Sequence, residues 1–418
     1  MYSGTALDDE KLNNDQHVRD WGNCPTEILI LFFSHLDLKS LSICMFVNKF
    51  WLGAVKYYLQ YFFKHFELWR EMVEVTIPNK GVLYKEKCAL GWREILFNFF
   101  LWRKVSKARV THYTSFHIKH VKSMKVYNNE LIVVVDNKVK YLNMVDTSCN
   151  KTLDVKCYSY EESDYLVTIL SNQNNNKSLL IQNKQYQSDM QYCDVFNLDV
   201  IGCYKLYSNS CYFIDSSSML WVAITERHNY FSVKAVAKIY RPACIVALHV
   251  FDHKVYVVTK EGVMFYVDGL QFKKVHHISY PHCDDADTNL SYPIPFLFND
   301  GCVAYRVPAN SKWEIYKSHQ YDKIIMAVPR LSALFEHGEV LFVGYEDGKI
   351  EIHCIDKILQ CQYEPQKQFY MRSFVYDKDG DYRIQALDVY ERVGRHFLVV
   401  ALENNIHQMF IQLKQPQK

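Results

Sequence analysis

The sequence predicts an α+β multidomain protein in which a small helical region precedes a much larger all-β region. Three observations predict this class. The 418 residues are 49% hydrophobic and 22% charged, which is enough apolar material to bury more than one core. Between residues 25 and 105 apolar residues recur at helical spacing, whereas from about residue 109 onward they alternate with polar residues, as they do in strands.

The composition limits the classes of function. With 48 Lys and Arg against 46 Asp and Glu, the net charge is +2, so the surface as a whole is not built to bind a polyanion. The 13 Cys residues include no C-x-x-C pair, which argues against a disulfide framework or a zinc ribbon. The N-terminus lacks the basic and apolar segments of a secretory signal, and the apolar runs are shorter than a membrane span. We therefore expect an intracellular protein, cytoplasmic and/or nuclear, that associates with no membrane.

Charge and periodicity divide the chain into regions. The first is acidic and holds few apolar residues, so we expect it to be a disordered tail. The second and third have helical spacing, and the last has the alternation of strands. The predicted regions are a polar tail at 1–22, a three-helix region at 23–72, a helical linker at 73–105 and an all-β region at 106–418.

Helix signals in the second region mark three helices. Pro25 suits a first helical turn, and Glu27 complements the positive end of the helix dipole. Asp37 and Asn48 are expected to cap the second and third helices. The third helix carries more aromatic surface than so small a bundle can bury, so we expect part of it to contact a partner or the next domain.

Five segments of this region occur in the order of a known motif. They are Cys24-Pro25-Thr26-Glu27-Ile28-Leu29, Phe33-Ser34-His35-Leu36, Leu41, Val47 to Trp51 and Leu68-Trp69-Arg70. Together they resemble the F-box family, whose pattern begins Leu-Pro-x-Glu-Ile-Leu, continues with Phe-Ser-x-Leu and Val-x-x-x-Trp, and often closes with Leu-Trp-Arg. Cys24 departs from the usual leucine, which removes apolar area at a contact position and weakens the expected adaptor affinity.

The resemblance implies that this region docks a Skp-type adaptor and, through it, a cullin-RING module. The alternative is a helical hairpin that only packs on the next domain. The linker is similar to the helix that often follows the box in F-box proteins with WD-repeat propellers, with Trp92-Arg93 near its start and Trp102 near its end. The residues that the resemblance implies for the adaptor contact are Pro25, Glu27, Ile28, Leu29, Phe33, Leu36, Leu41, Val47, Trp51 and Trp69.

The all-β region repeats one pattern of strand, polar turn, apolar strand, polar turn and alternating strand. The mean spacing of the copies is about 44 residues, a period typical of four-stranded propeller blades. Seven copies predict a seven-bladed β-propeller, which resembles a degenerate WD-repeat propeller because Gly-His and Trp-Asp dipeptides are absent. A sandwich or an irregular β domain is the alternative. The middle strands are expected to begin near Leu131, Tyr165, Cys211, Val255, Cys302, Val340 and Phe397.

One alternating segment has no repeat of its own. Residues 109–118 precede the first clear copy. We expect them to join the last blade as its outer strand, beside residues 406–413, because this pairing removes an open sheet edge.

Signatures of catalysis are absent from the sequence, which contains no H-E-x-x-H, G-x-S-x-G, Walker or G-x-G-x-x-G pattern. Acidic clusters at 282–287 and 377–381 could attract a cation, but a solvated loop and a tight turn account for them better. Between Glu94 and Glu130 all charged residues are basic, and we favour the solvated side of an edge strand over a polyanion site. We expect no catalytic residue, no metal and no cofactor.

Together these expectations predict that the chain itself catalyses no reaction. The resemblance implies the substrate receptor of a Skp-cullin-F-box ubiquitin ligase, in which the F-box docks the adaptor and the propeller holds a protein target. The rival is an F-box propeller scaffold that binds protein or RNA without ubiquitination, and an enzyme within the propeller is a distant third. Arginines in loops next to predicted strands are the expected substrate contacts. They are Arg227, Arg241, Arg330 and Arg372.

Overall fold

The computed structural model has a mostly β fold with a small helical part. Two compact units divide the chain, Met1–Thr76 and Ile77–Lys418, and each is described by itself. The structure describes residues 24–62, 67–77, 90–136, 138–154, 157, 159–163, 165–173, 176–184, 195–196, 200–207, 209–215, 217–225, 231–238, 245–251, 254–259, 263–268, 271–277, 296–297, 303–307, 312–317, 320–326, 331–355, 357, 364–375 and 382–413. The predicted disordered tail at 1–22 lies outside the described residues.

Four helices form the described part of the first unit. Asp37 Oδ1 accepts a hydrogen bond from the Ser40 N–H at 2.7 Å, and Asn48 Oδ1 accepts one from the Trp51 N–H at 2.8 Å, which confirms both predicted caps. The fourth helix extends beyond the predicted end of this region at residue 72. The helices are α1 (Thr26–Phe33), α2 (Leu38–Cys44), α3 (Lys49–Phe62) and α4 (Glu67–Thr76).

The core of this helical unit is aromatic and aliphatic. Leu29 and Phe33 of α1 are fully buried, and Leu41 of α2 and Trp51 of α3 are nearly so. The Phe33 ring meets Trp51 edge-on with 5.7 Å between ring centroids. Burying side chains of this size stabilises the unit by about 1.5–3 kcal/mol each, so these four residues fix how the helices pack.

The second unit begins with a helix, α5 (Trp92–Trp102), that belongs to its core. Trp102 is 2% exposed, and its ring meets Phe342 edge-on at 5.5 Å between centroids. Val105 and Ala108, just after α5, join the same apolar cluster. The predicted helical linker at 73–105 contains α5, whose Trp102 packs in the core of the β-rich unit.

Seven four-stranded antiparallel sheets make up the described part of the β-rich unit. In six of them the strands follow chain order. Sheet 1 contains β2 (Ser123–Tyr127), β3 (Glu130–Val135), β4 (Lys138–Asn143) and β5 (Cys149–Leu153); sheet 2 contains β6 (Ser159–Glu162), β7 (Leu166–Gln173), β8 (Asn176–Asn183) and β9 (Val195–Phe196). Sheet 3 contains β10 (Val200–Tyr207), β11 (Ser210–Asp215), β12 (Met219–Thr225) and β13 (Phe231–Lys238); sheet 4 contains β14 (Ile245–Phe251), β15 (Lys254–Thr259), β16 (Val263–Asp268) and β17 (Gln271–His277).

The remaining sheets follow the same plan with one exception. Sheet 7 recruits the first strand of the unit as its outer strand. Sheet 5 contains β18 (Phe296–Leu297), β19 (Val303–Val307), β20 (Lys312–Lys317) and β21 (Gln320–Met326); sheet 6 contains β22 (Leu331–His337), β23 (Val340–Tyr345), β24 (Lys349–Cys354) and β25 (Lys367–Tyr370). Sheet 7 contains β26 (Ala386–Arg392), β27 (Arg395–Ala401), β28 (Ile406–Gln412) and β1 (Arg109–Phe116).

The repeat pattern of the sequence located these sheets correctly. The second strand of every sheet begins within two residues of its predicted start. The predicted pairing of 109–118 with 406–413 is also confirmed, because β1 runs antiparallel to β28 from Arg109 opposite Gln412 to Phe116 opposite Ile406.

Short polar turns set the strand register. Asn128 and Asn129, between β2 and β3, have positive φ angles of 47° and 65°. Two residues of that conformation form the tight turn that matches the twist of a hairpin, and Asn tolerates it better than most side chains.

In the described part of the β-rich unit, the first strands of neighbouring sheets contact one another at six joints. Contacts join β2 to β6, β6 to β10, β10 to β14, β14 to β18, β22 to β26, and β26 back to β2.

Acidic side chains reinforce two of these joints. Asp388 Oδ2 on β26 accepts a hydrogen bond from the Val126 N–H on β2 at 2.6 Å, and Glu161 Oε2 on β6 accepts one from the Leu206 N–H on β10 at 3.0 Å. Neighbouring sheets are therefore connected by polar bonds as well as by apolar packing. Among the described helices, none combines the length and the apolar character needed to cross a membrane.

Candidate functional site

The helical unit exposes an apolar face. On α1 the exposed side chains Ile28, Leu31 and Phe32 recur at helical spacing, on the side away from the buried Leu29 and Phe33. A helix that is apolar on both sides buries one side in its own core and leaves the other for a partner. The large apolar side chains on this face are 39–61% exposed, and they are Ile28, Leu31, Phe32, Ile43, Val47, Phe50 and Tyr57.

The structure separates the predicted adaptor-binding residues by burial. Pro25, Glu27, Ile28 and Val47 are exposed. A side chain with no exposed area supports the shape of the face, whereas an exposed one can contact a partner directly. The half-buried residues are Leu36 and Trp69, and the buried ones are Leu29, Phe33, Leu41 and Trp51.

Five exposed residues of this face were missed from the sequence: Leu31, Phe32, Ile43, Phe50 and Tyr57. The available signal was the unbroken apolar run ILILFF at 28–33. A run without polar interruption indicates two apolar sides, but it does not say which side faces outward.

Only one of the predicted substrate-contact arginines lies in the part of the chain that the structure describes. Arg372 is exposed in a short 3₁₀ turn after β25, and its guanidinium lies 4.8 Å from the centre of the Tyr370 ring. The other three, Arg227, Arg241 and Arg330, lie outside the described residues, as do the acidic clusters at 282–287 and 377–381. The grouping of the four arginines therefore stays a prediction.

The basic stretch between Glu94 and Glu130 has partners for several of its groups. Arg103 forms a two-pronged ion pair with Glu339, at 2.6 and 2.7 Å, and Lys125 Nζ donates to the Glu162 backbone oxygen at 3.0 Å. Ser115 Oγ lies 3.0 Å from His112 Nε2. These groups are spread over α5, β1 and β2, so they do not form a compact anion site.

A polar cleft of about 350 Å³ opens between sheets 1 and 2. Tyr127 and Tyr141 line it from sheet 1, and Tyr160 lines it from sheet 2. It lies where the β2–β3 turn, the end of β6 and the residue after β8 meet. The other lining residues are Asn128, Glu130, Lys151, Leu153, Glu162, Val167, Ile169, Gln182 and Lys184.

A buried carboxylate organises the base of this cleft. Glu162 Oε2 accepts hydrogen bonds from the Tyr141 and Tyr160 hydroxyls at 2.9 and 2.8 Å, and Glu162 Oε1 pairs with Lys184 Nζ at 2.6 Å. Lys184 also donates to the Tyr127 hydroxyl at 3.0 Å. Burial, reinforced by the charge of Glu162, raises the pKa of both Tyr141 and Tyr160 well above the ordinary value, so both phenols stay neutral.

A second buried carboxylate lies beneath α5. Glu391 is fully buried; it accepts hydrogen bonds from the Trp102 indole N–H and from Asn98 Nδ2, and pairs with His337 Nε2 at 2.9 Å. Burial alone would raise the pKa of Glu391, but His337, His396 and Trp102 hold it at about 2. Burial lowers the pKa of His396 to about 4. This cluster holds α5 on sheets 6 and 7.

In the part of the chain that the structure describes, no group of three or more His, Cys, Asp or Glu side chains could hold a metal ion. Sequence reasoning missed both carboxylate clusters, because their members lie on different strands. The signal was the presence of acids inside otherwise apolar strands, as at Glu161-Glu162 and Asp388, since charges at such positions are buried only when paired.

Comparison with known proteins yields structural similarity only. No family model matches the chain, and no curated protein matches it. Among solved structures the chain is similar to the computationally designed Ika8 protein, with a TM-score of 0.48 and 11% identity over 72% of this chain and 99% of that one.

Proposed function

We propose that the β-rich unit is a seven-bladed propeller of degenerate WD type. Seven consecutive four-stranded sheets support this arrangement, as do the contacts that join the first strands of neighbouring sheets and return from β26 to β2. Recruitment of β1 into sheet 7 is the kind of pairing by which a ring of sheets is closed. An electron-microscopy map should show seven repeats around a central channel, and an open array of sheets would contradict the proposal.

We further propose that the helical unit is an F-box that docks a Skp-type adaptor. The observation that carries this proposal is the apolar face of α1 to α3, which stays exposed although the same helices bury a complete core. Surfaces of this kind are typical of permanent subunit contacts, whose centres exclude charge. The order of the motif from Cys24 to Arg70 resembles the F-box, which supports this partner over an arbitrary one.

Together the two units suit the substrate receptor of a Skp-cullin-F-box ubiquitin ligase. The chain would break or form no bond itself, because catalysis in such a complex comes from holding a target lysine close to a separately bound conjugating enzyme. The described cysteines Cys24, Cys44, Cys149, Cys157, Cys211 and Cys354 are all free thiols, which suits a reducing compartment, the cytoplasm or the nucleus.

Co-purification with a Skp-type adaptor tests the proposal. The variant Ile28→Asp/Val47→Asp places two charges on the exposed face and should abolish capture of the adaptor while leaving the chain folded. The matched control is Val393→Asp, which changes an exposed apolar residue of the β-rich unit (72% exposed) and should leave capture unchanged. Full capture by the double variant would overturn the proposal. Capture of the adaptor without any cullin would favour the scaffold role over the ligase role.

A further inference from the structure

The cleft between sheets 1 and 2 is lined by two ammonium groups, those of Lys151 and Lys184. Lys184 uses one N–H for Glu162 and one for the Tyr127 hydroxyl, which leaves a third N–H. Lys151 has no ion pair in the described part of the chain, and its ammonium lies 5.5 Å from the centre of the Tyr141 ring. Two ammonium groups therefore border the cleft with donors to spare.

The acids of the cleft are more fully engaged. Glu162 already accepts hydrogen bonds from two phenols and an ammonium, and it is 6% exposed. Glu130 accepts a hydrogen bond from Asn150 Nδ2 at 2.8 Å. An incoming cation would find the Glu162 oxygens largely occupied, whereas an incoming anion would meet the unused donors of Lys151 and Lys184.

Both ammonium groups are held in place before any ligand arrives. Lys184 Nζ lies 4.5 Å from the centre of the Tyr127 ring, and Lys151 lies directly opposite Tyr141 in the β4–β5 pairing. Contacts of a cation with a ring face are worth about 0.5–1 kcal/mol at exposed sites. Fixed donors lose less freedom on binding than mobile ones, so the same contacts give a higher affinity.

We propose that this cleft binds an acidic segment of a protein partner, with a carboxylate placed between Lys151 and Lys184. The inference rests on the proposed role of the β-rich unit in holding a protein target, and it adds the chemistry of the segment that is held. Charge-assisted hydrogen bonds to carboxylates are the strong class. A volume of about 350 Å³ lies at the lower end of ligand clefts, which suits one or two side chains of a peptide.

Binding of a fluorescein-labelled hexaglutamate peptide to the full chain, measured by fluorescence polarisation, tests the inference. We expect binding that weakens with added salt, whereas labelled hexaglutamine and hexalysine should bind far more weakly. Lys151→Glu should reduce the hexaglutamate affinity by about tenfold or more, since it replaces a donor by a repelling charge. Glu130→Gln should raise it, because one repelling carboxylate is removed.

Two further variants provide a control outside the cleft and a second test of the cleft itself. Lys138→Glu changes an exposed lysine of the same sheet that is not a lining residue of the cleft and pairs with Asp154 at 3.5 Å, and it should leave the affinity unchanged. The double variant Glu162→Gln/Lys184→Gln removes the second ammonium without leaving a buried carboxylate unpaired, and it should also weaken binding.

The inference is overturned if Lys151→Glu binds hexaglutamate as well as the unchanged chain does. Tighter binding of hexalysine would also overturn it, and so would binding of free glutamate as tight as that of the peptide, because the ligand would then be a small carboxylate. Adaptor capture is measured on the same Lys151→Glu protein and should persist. Normal adaptor capture without peptide binding would reject this inference alone, whereas peptide binding without adaptor capture by the unchanged chain would reject the proposed F-box alone.

Discussion

The two units place their polar and apolar residues in opposite ways. Among the described residues, the small helical unit has eight large apolar side chains that are exposed, and Ser42 is its one buried polar side chain. The much larger β-rich unit has only four such exposed apolar side chains, and it buries several carboxylates and imidazoles. The helical unit thus has apolar side chains on its surface, where a partner can contact them. The β-rich unit instead has carboxylates and imidazoles buried between its sheets, where they support the fold.

Because of this difference, the two units should be sensitive to different kinds of change. A buried carboxylate stabilises a joint only while its donors remain, since a buried charge without a partner costs several kcal/mol. An exposed apolar face contributes little to the stability of its own unit and much to association. Changes of charge or pH should therefore affect the β-rich unit first, and changes on the apolar face should affect binding alone.

The largest expected effect is the difference in melting temperature between two N-terminal truncations. Deleting residues 1–76 removes the helical unit and should change the melting temperature of the β-rich unit by only a few degrees. Deleting residues 1–104 also removes α5, whose buried side chains include Ile95, Leu96, Phe99 and Trp102, and should lower it by more than about 10 °C. Differential scanning calorimetry of both truncations measures this. Equal melting temperatures would show that α5 is a linker after all.

The second-largest effect on stability is expected from Glu391, the buried carboxylate beneath α5. Glu391→Ala leaves the Trp102 N–H, His337 and Asn98 without their acceptor, so it should destabilise the β-rich unit by about 3–5 kcal/mol. Glu391→Gln keeps an acceptor oxygen and should cost less. Denaturant unfolding of the full chain measures both. If Glu391→Ala were as stable as the unchanged chain, the view that buried acids hold the joints of this unit would fail.

The sequence predicted the parts of the fold that depend on local pattern. Alternation and a repeated strand-and-turn pattern predicted seven sheets and the pairing of β1 with β28, and single residues such as Asp37 predicted helix caps. The carboxylate clusters escaped prediction because Trp102 and Glu391 lie 289 residues apart, and only the tertiary fold decides that they meet. Which side of α1 faces outward escaped prediction because Ile28 and Leu29 are adjacent and equally apolar, and packing alone buries one of them.

The pH dependence of stability follows from His396. Its pKa lies near 4 in the folded chain against 6.5 ordinarily, because burial outweighs the opposing effect of Glu391. The unfolded chain therefore binds the proton more tightly, so stability is complete above about pH 6.5 and falls as the pH drops toward 4, by on the order of 3 kcal/mol. Glu391, with its pKa lowered from 4.5 to about 2, extends the loss in the same direction at lower pH.

Unfolding of the full chain at a series of pH values measures this dependence. His396→Gln should flatten the curve between pH 6.5 and 4, because the group that takes up the proton on unfolding is gone. If the slope of unfolding free energy against pH were unchanged in His396→Gln, other groups would be responsible for the pH dependence.

The smallest expected effect is on the apolar face. Ile28 is 51% exposed, so Ile28→Ser should change the stability of α1 by no more than about 0.5 kcal/mol. Leu29, its neighbour, is fully buried, and Leu29→Ala should cost about 2–5 kcal/mol. Hydrogen exchange of the α1 amides in the full chain distinguishes the two variants. Protection should be kept in Ile28→Ser and lost in Leu29→Ala. Equal loss in both would mean that the exposed face supports its own unit, and the contrast between the two units would then be smaller than the burial indicates.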